Sequence, residues 1–422
     1  MRSPFVSSAL LLLLPSLLFA RQGPNLVKNG GFENGSNFWI PLAADPGTSV
    51  TIDGTTSHAG SFSAQAKITG PANPVAAGWL QPVPVQPGRH YLLSYAIKTA
   101  VTDLMAFPFL NYLDSSDSVV FSQSLFPSSG TRNWEVFQSR LTIPAGVRTL
   151  DLFLLLYGTE GTVWFDSIRL TELTDPAPTG FNVDLGAADL GPIERFSSTN
   201  VGPKWSGNPN DMTAGFRKIG VDLVRTHDFF GPCDMHVIFP DFNADPLDPA
   251  AYDFASSDAV IAAILDAGGR VLFRLGESFE TNPVHNQPPA DFNKWAQVCV
   301  QIVKHYNAGW NQGFFDGIRW WEIWNEPDIP QFWAGTAAQY ADLYRIAATK
   351  LKQYDPTLKV GGPALANLAS EGFLDTFLAA VTASGAPLDF FSYHFYSSVN
   401  PWFYVRAEAR ARELLTGHGF PA

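Results

Sequence analysis

Hydrophobic and polar positions alternate along the first half of the chain in short runs, separated by clusters of turn-forming residues. These runs have strand length, and no window between them shows a helical period. The predicted strands span 49–52, 63–68, 90–98, 119–124, 135–143, 149–156 and 162–170. Several short strands at this spacing predict an all-β sandwich, of jelly-roll type, over residues 24–173.

A proline-rich stretch at 174–179 reads as a linker, and beyond it the pattern changes. Near-continuous apolar runs at 180–185, 221–226, 270–275, 318–324, 358–361 and 388–395 alternate with helical patterns. The predicted helices span 211–219, 257–267, 291–306, 337–352, 370–383 and 405–415. Apolar strands alternating with helices are typical of a parallel sheet covered on both faces. We therefore predict units 1–6 of a (β/α)₈ TIM barrel over residues 180–422, which leaves the barrel incomplete.

The N-terminus predicts a targeting segment. Arg2 precedes an almost unbroken apolar run at residues 9–20. This run has the length of a signal-peptide core, and a membrane-spanning helix needs about 20 apolar residues. We expect residues 1–20 to be a signal peptide and the mature protein to be secreted, without a membrane partner; the alternative is an uncleaved anchor. Cys233 and Cys299 form either one disulfide or two buried thiols, since the sequence does not distinguish them.

Composition then narrows the class of partner. The 422 residues include 27 Lys+Arg and 39 Asp+Glu, a net charge of −12, with 14% aromatic residues. Nucleic-acid binding requires clustered basic side chains, so an acidic, aromatic-rich chain argues against nucleic acid as a partner. Neutral ligands that stack on aromatic rings, carbohydrates above all, fit this composition. The sequence leaves the oligomeric state open.

Polar side chains concentrate where the fourth barrel strand ends, in the segment WEIWNEPD (residues 321–328). Barrel active sites gather at the carboxyl ends of the strands, so these side chains are candidates for catalysis. Strand alternation predicts that Glu322, Trp324 and Glu326 share one side and that Asn325 faces the other. The alternative is an ordinary strand that ends in a polar loop.

This segment resembles the fourth-strand motif of clan A glycoside hydrolases, and several further motifs resemble family 39, which includes β-xylosidases and α-L-iduronidases. They are VRTHD (224–228), FW (332–333), GGP (361–363) and SYHFY (392–396). The resemblance implies that Glu326 is the acid/base residue and that Asn325 binds the 2-hydroxyl of the sugar. It also implies that His227, His394 and Tyr396 line the same subsite, with no cofactor for catalysis.

The two tryptophans of this region, Trp324 and Trp333, either stack on sugar rings or pack inside the domain. Each of the two histidines has the alternative role of a structural hydrogen bond at a strand end. Asp228 and Asp234 are ambiguous, Glu277 and Glu280 lie in a loop without a recognisable motif, and Glu322 is a candidate salt-bridge partner rather than a reactive group.

Retaining glycosidases use a second carboxylate, about 5–5.5 Å from the first, as nucleophile. In clan A this glutamate follows the seventh strand. The six predicted units reach residue 422, and Glu408 and Glu413 belong to the last helix. We therefore expect the nucleophile to be missing from these residues, which predicts a fragment or a truncated product that lacks efficient hydrolysis by itself. The alternative function is a non-catalytic carbohydrate-binding protein with a degenerate barrel.

The β-rich half resembles jelly-roll carbohydrate-binding modules of families 4, 9 and 22. The motifs are NLVKNGGFE (25–33), HAGS (58–61) and VWFDSI (163–168). The resemblance implies a structural Ca²⁺ held by Glu33 and Asp166; the alternative is two solvated acids at strand ends. Four aromatic residues are candidate sugar-stacking platforms or core residues, namely Trp39, Trp79, Trp134 and Tyr157.

Overall fold

A computed structural model describes residues 21–71, 73–101, 105–128, 130–174, 197–204, 210–227, 231–368, 370–396 and 402–421. The chain divides into two compact units, 1–189 with 398–403 and 190–397 with 404–422. The predicted signal peptide, residues 175–179 of the predicted linker and the predicted strand 180–185 lie outside the described residues.

Eleven antiparallel strands make up the described part of the first unit. They are β1 (Arg21–Asn25), β2 (Ile40–Leu42), β3 (Thr48–Asp53), β4 (Ser63–Thr69), β5 (Val75–Pro84), β6 (His90–Val101), β7 (Met105–Leu113), β8 (Val119–Ser124), β9 (Thr131–Thr142), β10 (Thr149–Gly158) and β11 (Glu160–Thr174). One sheet has the order β3-β4-β11-β6-β9 with β1 also paired to β11, and the other has the order β2-β5-β10-β7-β8. The predicted antiparallel sheets are confirmed, and all seven predicted strands are present.

Alternation along each strand creates the core of this unit. In β10, Leu150, Leu152, Leu154 and Leu156 are buried, whereas the intervening residues are partly exposed or exposed. Because successive side chains of a strand point to opposite faces, one face of β10 is continuously apolar and buried.

Trp39 and Trp79 belong to this core. Each indole N–H donates to a backbone carbonyl, at 3.1 Å in both cases. Of their two alternatives, these two rings therefore take the core position rather than that of an open sugar platform. Tyr157, by contrast, is exposed.

The second unit contains a six-stranded parallel sheet whose strands are neighbours in chain order. Its strands are β12 (Ser198–Thr199), β13 (Leu223–Arg225), β14 (Arg270–Leu275), β15 (Trp320–Ile323), β16 (Lys359–Leu365) and β17 (Phe390–Tyr393). Its helices are α1 (Thr213–Ile219), α2 (Met235–Ile238), α3 (Ala255–Asp266), α4 (Phe292–Ala308), α5 (Ala337–Tyr354), α6 (Glu371–Ser384) and α7 (Trp402–Gly417). Sequential parallel order is the arrangement expected for consecutive strands of a β/α barrel.

Side chains cap the helices where the sequence predicts their ends. Asp291 accepts hydrogen bonds from the backbone N–H groups of Asn293 and Lys294 at the start of α4. Thr336 and Gln339 form a reciprocal capping box at the start of α5. β12 was not predicted, because two residues are too few to show a periodic pattern, and the predicted strand 180–185 stays a prediction.

The parallel sheet places several candidate site residues at one edge. All six strands run the same way, so the residues that follow β13, β14, β15 and β17 lie at the same carboxyl edge. His227, Glu277, Glu326 and His394 each follow one of these strands. Among the described residues, no helix has both the length and the apolar character needed to cross a membrane.

Candidate active site

The backbone turns sharply where β15 ends, and this turn decides which side chains enter the site. Trp324 and Glu326 have φ angles of 71° and 44°, in the left-handed region that non-glycine residues rarely adopt. Ala364, whose carbonyl accepts the N–H of Glu326 at 3.0 Å, also has a positive φ of 53°. Such residues cost about 1–3 kcal/mol each and concentrate at functional sites.

This turn overturns the predicted alternation. Glu322 and Asn325, expected on opposite sides of the strand, both reach Arg225 at the end of β13. Arg225 Nε donates to Glu322 Oε2 at 2.6 Å, and Arg225 Nη2 donates to Asn325 Oδ1 at 2.8 Å. The prediction was wrong because strand geometry ends at Ile323, two residues before Asn325.

Arg225 therefore organises the site, although it was predicted only as part of the 224–228 motif and without a role of its own. Its third nitrogen, Nη1, donates to Asn200 Oδ1 at 3.0 Å. The Glu322 side chain is only 1% exposed and forms a salt bridge with Arg225, which matches its candidate role as an ion-pair partner. Because Arg225 occupies the amide oxygen of Asn325, the amide nitrogen Nδ2 is turned elsewhere. Nδ2 is buried and has no hydrogen-bond partner among the described residues.

Glu326 lies beside Asn325 and is held by the neighbouring strands. Its Oε1 contacts Nδ1 of His394, which follows β17. The backbone N–H of His394 donates to Leu365 of β16 at 2.7 Å. Both side chains of the Glu326–His394 pair remain partly exposed. One oxygen of the Glu326 carboxylate is thus held by His394, whose backbone is itself held by β16.

His227 is buried in the same region and packs against Phe332, with ring centroids 5.9 Å apart. Burial is the main cause that lowers the pKa of His227 far below its ordinary value, and the charges of Arg274 and Arg225 lower it further. The ring is therefore neutral. Its Nδ1 is buried without a hydrogen-bond partner among the described residues. Asp228 lies outside the described residues.

The two tryptophans form the packed wall behind the site. Trp324 and Trp333 are each 2% exposed, and their rings meet edge to face at a centroid distance of 5.0 Å. The Trp324 indole N–H donates to the Phe332 carbonyl at 2.9 Å. Their burial matches the packing alternative rather than stacking on a sugar. Tyr396 is 84% exposed, so its ring is not enclosed with Glu326.

A second cluster follows β14, and sequence reasoning found only its glutamates. Glu277 Oε2 lies 2.5 Å from His236 Nδ1, and Glu280 Oε1 lies 2.6 Å from His285 Nδ1. Burial raises the pKa of Glu277 to about 6. His236 comes from α2 and His285 from the loop after β14, so their approach is a tertiary contact without a local sequence signal.

The proposed calcium ligands of the first unit also approach one turn. Asp166 Oδ2 accepts the backbone N–H groups of His58 and Ala59 at 2.7 and 2.9 Å. Glu33 Oε1 accepts those of Ser61 and Phe62 at 2.9 and 3.1 Å. Asp166 is buried, and burial raises the pKa of its carboxyl. The two acids therefore hold the 58–62 turn and form a set of oxygen donors suited to a hard cation.

Asn325, Glu326 and His394 thus lie together at the carboxyl edge of a parallel β/α sheet. Residues 202–406 match the model of glycosyl hydrolases family 39. This part of the chain is therefore similar to that family. Cys233 and Cys299 within it are buried thiols.

Known relatives match part of the chain. A β-xylosidase of Caldicellulosiruptor saccharolyticus is 30% identical over 192 residues, which cover 42% of this chain and 37% of that protein. A β-xylosidase of Geobacillus stearothermophilus is 30% identical over 197 residues, which cover 44% and 38%. A solved glucosidase structure from Croceicoccus marinus is 33% identical, with a TM-score of 0.49, and covers 53% of this chain and 49% of that one. The chain thus spans well under half the length of the two β-xylosidases.

Proposed function

We propose that the second unit contributes the acid/base part of a retaining glycoside hydrolase site that acts on β-xylosides. The observation that carries the proposal is the adjacent pair Asn325 and Glu326. Arg225 binds the amide oxygen of Asn325, so that the amide nitrogen has no hydrogen-bond partner in the part of the chain that the structure describes. His394 holds the neighbouring Glu326 carboxylate through a single oxygen. The two similar relatives are β-xylosidases, which supports a xyloside as substrate.

In this proposal each group has a separate task. Glu326 protonates the glycosidic oxygen as it leaves and then removes a proton from the attacking water. His394 orients the carboxylate through Oε1, which leaves Oε2 for the reaction. Asn325 Nδ2 donates to the 2-hydroxyl, an interaction that strengthens in the transition state. His227 is neutral, so it binds a sugar hydroxyl without adding positive charge beside the developing oxocarbenium ion.

The first unit and the N-terminus complete the proposal. The first unit is a carbohydrate-binding module of jelly-roll type, with a Ca²⁺ that Glu33 and Asp166 help to hold. The apolar run at 9–20 after Arg2 supports a signal peptide and secretion. A secreted glycosidase with a carbohydrate-binding module would act on polysaccharides or oligosaccharides, and we propose these as the natural substrates.

The test separates acid catalysis from a structural role. Because the seventh-strand nucleophile is expected to be missing, rates are measured with azide as an external nucleophile on two aryl β-xylosides, one with 2,4-dinitrophenolate and one with 4-methylumbelliferone as leaving group. We expect Glu326→Gln to lower the rate by about 10²–10⁴-fold with the poorer leaving group and much less with the better one. Calorimetry should show that Glu326→Gln still binds xylobiose, whereas Asn325→Ala binds it more weakly. Glu408→Gln, on the exposed face of α7, is the matched control.

Equal losses for both leaving groups would contradict the acid/base role of Glu326. Binding of xylobiose without turnover of either substrate, even with azide present, would favour the alternative of a non-catalytic carbohydrate-binding protein. Failure to bind xylobiose at all would contradict the substrate class.

A further inference from the structure

Two histidines lie face to face at the carboxyl edge of the same parallel sheet. The rings of His236 and His285 are parallel within 3°, with centroids 3.8 Å apart. Each ring has its own carboxylate: Glu277 faces His236 Nδ1 and Glu280 faces His285 Nδ1. We call these four residues the His–Glu cluster. None of the four has a task in the proposed acid/base step.

The charges of the cluster are unbalanced. Asp234 also lies beside His236, but Arg274 pairs with it and Ser278 Oγ donates to it at 2.5 Å. Asp234 is therefore already neutralised. Glu277 and Glu280 each pair with one imidazole in the cluster. A divalent cation would place two positive charges beside these two carboxylates.

The spacing and chemistry of the side chains fit such an ion. His236, Glu280 and His285 each offer a ligand atom, and these atoms lie within 4.8 Å of one another. Two imidazole nitrogens and one carboxylate oxygen are a ligand set that favours zinc, whereas calcium and magnesium prefer oxygen ligands alone. A histidine that binds a metal commonly donates its other ring N–H to a carboxylate, which is the position of Glu277 beside His236.

We propose that His236, Glu280 and His285 bind a divalent transition-metal ion of the zinc type, with Glu277 as the carboxylate that orients His236. The site is accessible, since the side chains of His236 and His285 are 34% and 39% exposed. The proposal is independent of the glycosidase function proposed above.

An ion at this position would join two elements that are otherwise distant in the chain. His236 belongs to α2, whereas Glu280 and His285 belong to one loop after β14. Glu280 Oε2 already closes this loop by accepting the backbone N–H groups of Val284 and His285 at 2.7 and 3.0 Å. Gln331 donates its side-chain amide to the Glu280 carbonyl, which connects the loop to the segment that follows Glu326. The ion would therefore stabilise the rim next to the candidate active site.

The test is zinc titration by calorimetry of tag-free protein after treatment with EDTA. We expect one Zn²⁺ per chain, and affinity at least about 10-fold weaker in His285→Gln and in Glu280→Gln. Glu277→Gln removes only the orienting carboxylate, and we expect its zinc affinity to be about 10–100-fold weaker. The matched control is His418→Gln, because His418 Nε2 pairs with Asp375 at 2.9 Å on the surface as a single His–carboxylate pair. This variant should bind zinc like the parent.

A second measurement keeps folding separate from binding. Co²⁺ in place of Zn²⁺ should give the visible absorption of a low-coordinate nitrogen and oxygen site in the parent and in His418→Gln only. Thermal unfolding in EDTA should be the same for the parent, His285→Gln, Glu280→Gln and His418→Gln, since these substituted side chains are partly exposed. Parent-like zinc affinity in both His285→Gln and Glu280→Gln would overturn the proposal, as would the absence of stoichiometric uptake by the parent.

Discussion

Arg225 links two functions at the scale of single residues: it neutralises a buried carboxylate and it orients a neighbouring amide. A lysine offers one point charge, whereas the guanidinium presents donors in a fixed planar arrangement. Three of its nitrogens are used here, toward Glu322, Asn325 and Asn200. The residue that prepares the site is therefore one that contacts neither the glycosidic bond nor the leaving group in the proposed reaction.

Removal of this guanidinium should unfold the second unit more readily. Arg225→Met leaves the Glu322 carboxylate buried without its cation, and breaking a buried ion pair costs about 3–5 kcal/mol. We expect that loss in the free energy of unfolding by urea, and partial recovery in the double variant with Glu322→Gln. The control is Arg217→Met, because Arg217 and Asp266 form an exposed pair whose loss should cost less than about 1 kcal/mol. Equal effects of both single variants would contradict the assignment.

Residue types and backbone geometry were predictable to different degrees from the sequence. Glu326, Asn325 and His394 come together as the motifs imply, because parallel strands place their ends at one edge. The positive φ angles at Trp324 and Glu326 were not predictable, since neither residue type favours that conformation and only tertiary contacts impose it. That local turn is the reason why Asn325 and Glu322 share Arg225.

Among the secondary-structure elements, those with a strong period were predicted best. The predicted helix 337–352 corresponds to α5 (Ala337–Tyr354), where a capping box marks the start. In the first unit β1, β2, β5 and β7 were missed. Pro82 and Pro84 in β5 and Pro108 in β7 weaken a strand pattern, and β2 is only three residues long. Pairing with neighbouring strands forms these elements, and a single sequence does not display that pairing.

Asp389 connects three elements of the parallel sheet. It precedes β17, accepts the backbone N–H of Val360 in β16 at 2.9 Å and accepts from Lys352 Nζ of α5 at 3.0 Å. Burial alone would raise the pKa of Asp389, but these hydrogen bonds and the charges of Lys352 and Lys359 outweigh it. The pKa in the folded state is therefore below its ordinary value.

A depressed folded-state pKa gives a definite pH dependence. The stabilisation is present above the unfolded pKa of about 3.9 and is lost as the pH falls through the lower folded pKa. We expect Asp389→Asn to unfold at lower urea concentration than the parent at pH 7, and the difference to shrink below about pH 4. Asp342→Asn, which removes an exposed i,i+3 pair with Arg345, should differ little from the parent at either pH. A difference that grows as the pH falls would contradict this account.

At the scale of the whole molecule, the chain combines two units with separate cores and different sheet types. The antiparallel unit and the parallel β/α unit were both predicted, because a period of two and an alternation of strands with helices are long-range patterns that survive local errors. The boundary residues and the predicted signal peptide lie outside the described residues, so the secreted location and the leader stay predictions. The missing seventh-strand nucleophile also stays a prediction.

Calcium should act on one unit of the molecule only. Glu33 and Asp166 both hold the 58–62 turn. An ion bound to these two carboxylates should therefore stabilise the first unit. We expect Ca²⁺ to slow hydrogen exchange in peptides that contain residues 30–62 and 160–170, and to leave peptides from α3 to α6 unchanged. Glu33→Ala should abolish this protection, whereas Asp114→Asn, in an exposed turn of the same unit, should retain it.

Because bound ligand stabilises only the state that binds it, the melting temperature of the parent should rise with Ca²⁺ and fall again with EGTA. Protection that persists in Glu33→Ala, or that extends equally to both units, would show that Ca²⁺ binds elsewhere and that the two acids serve only to hold the turn.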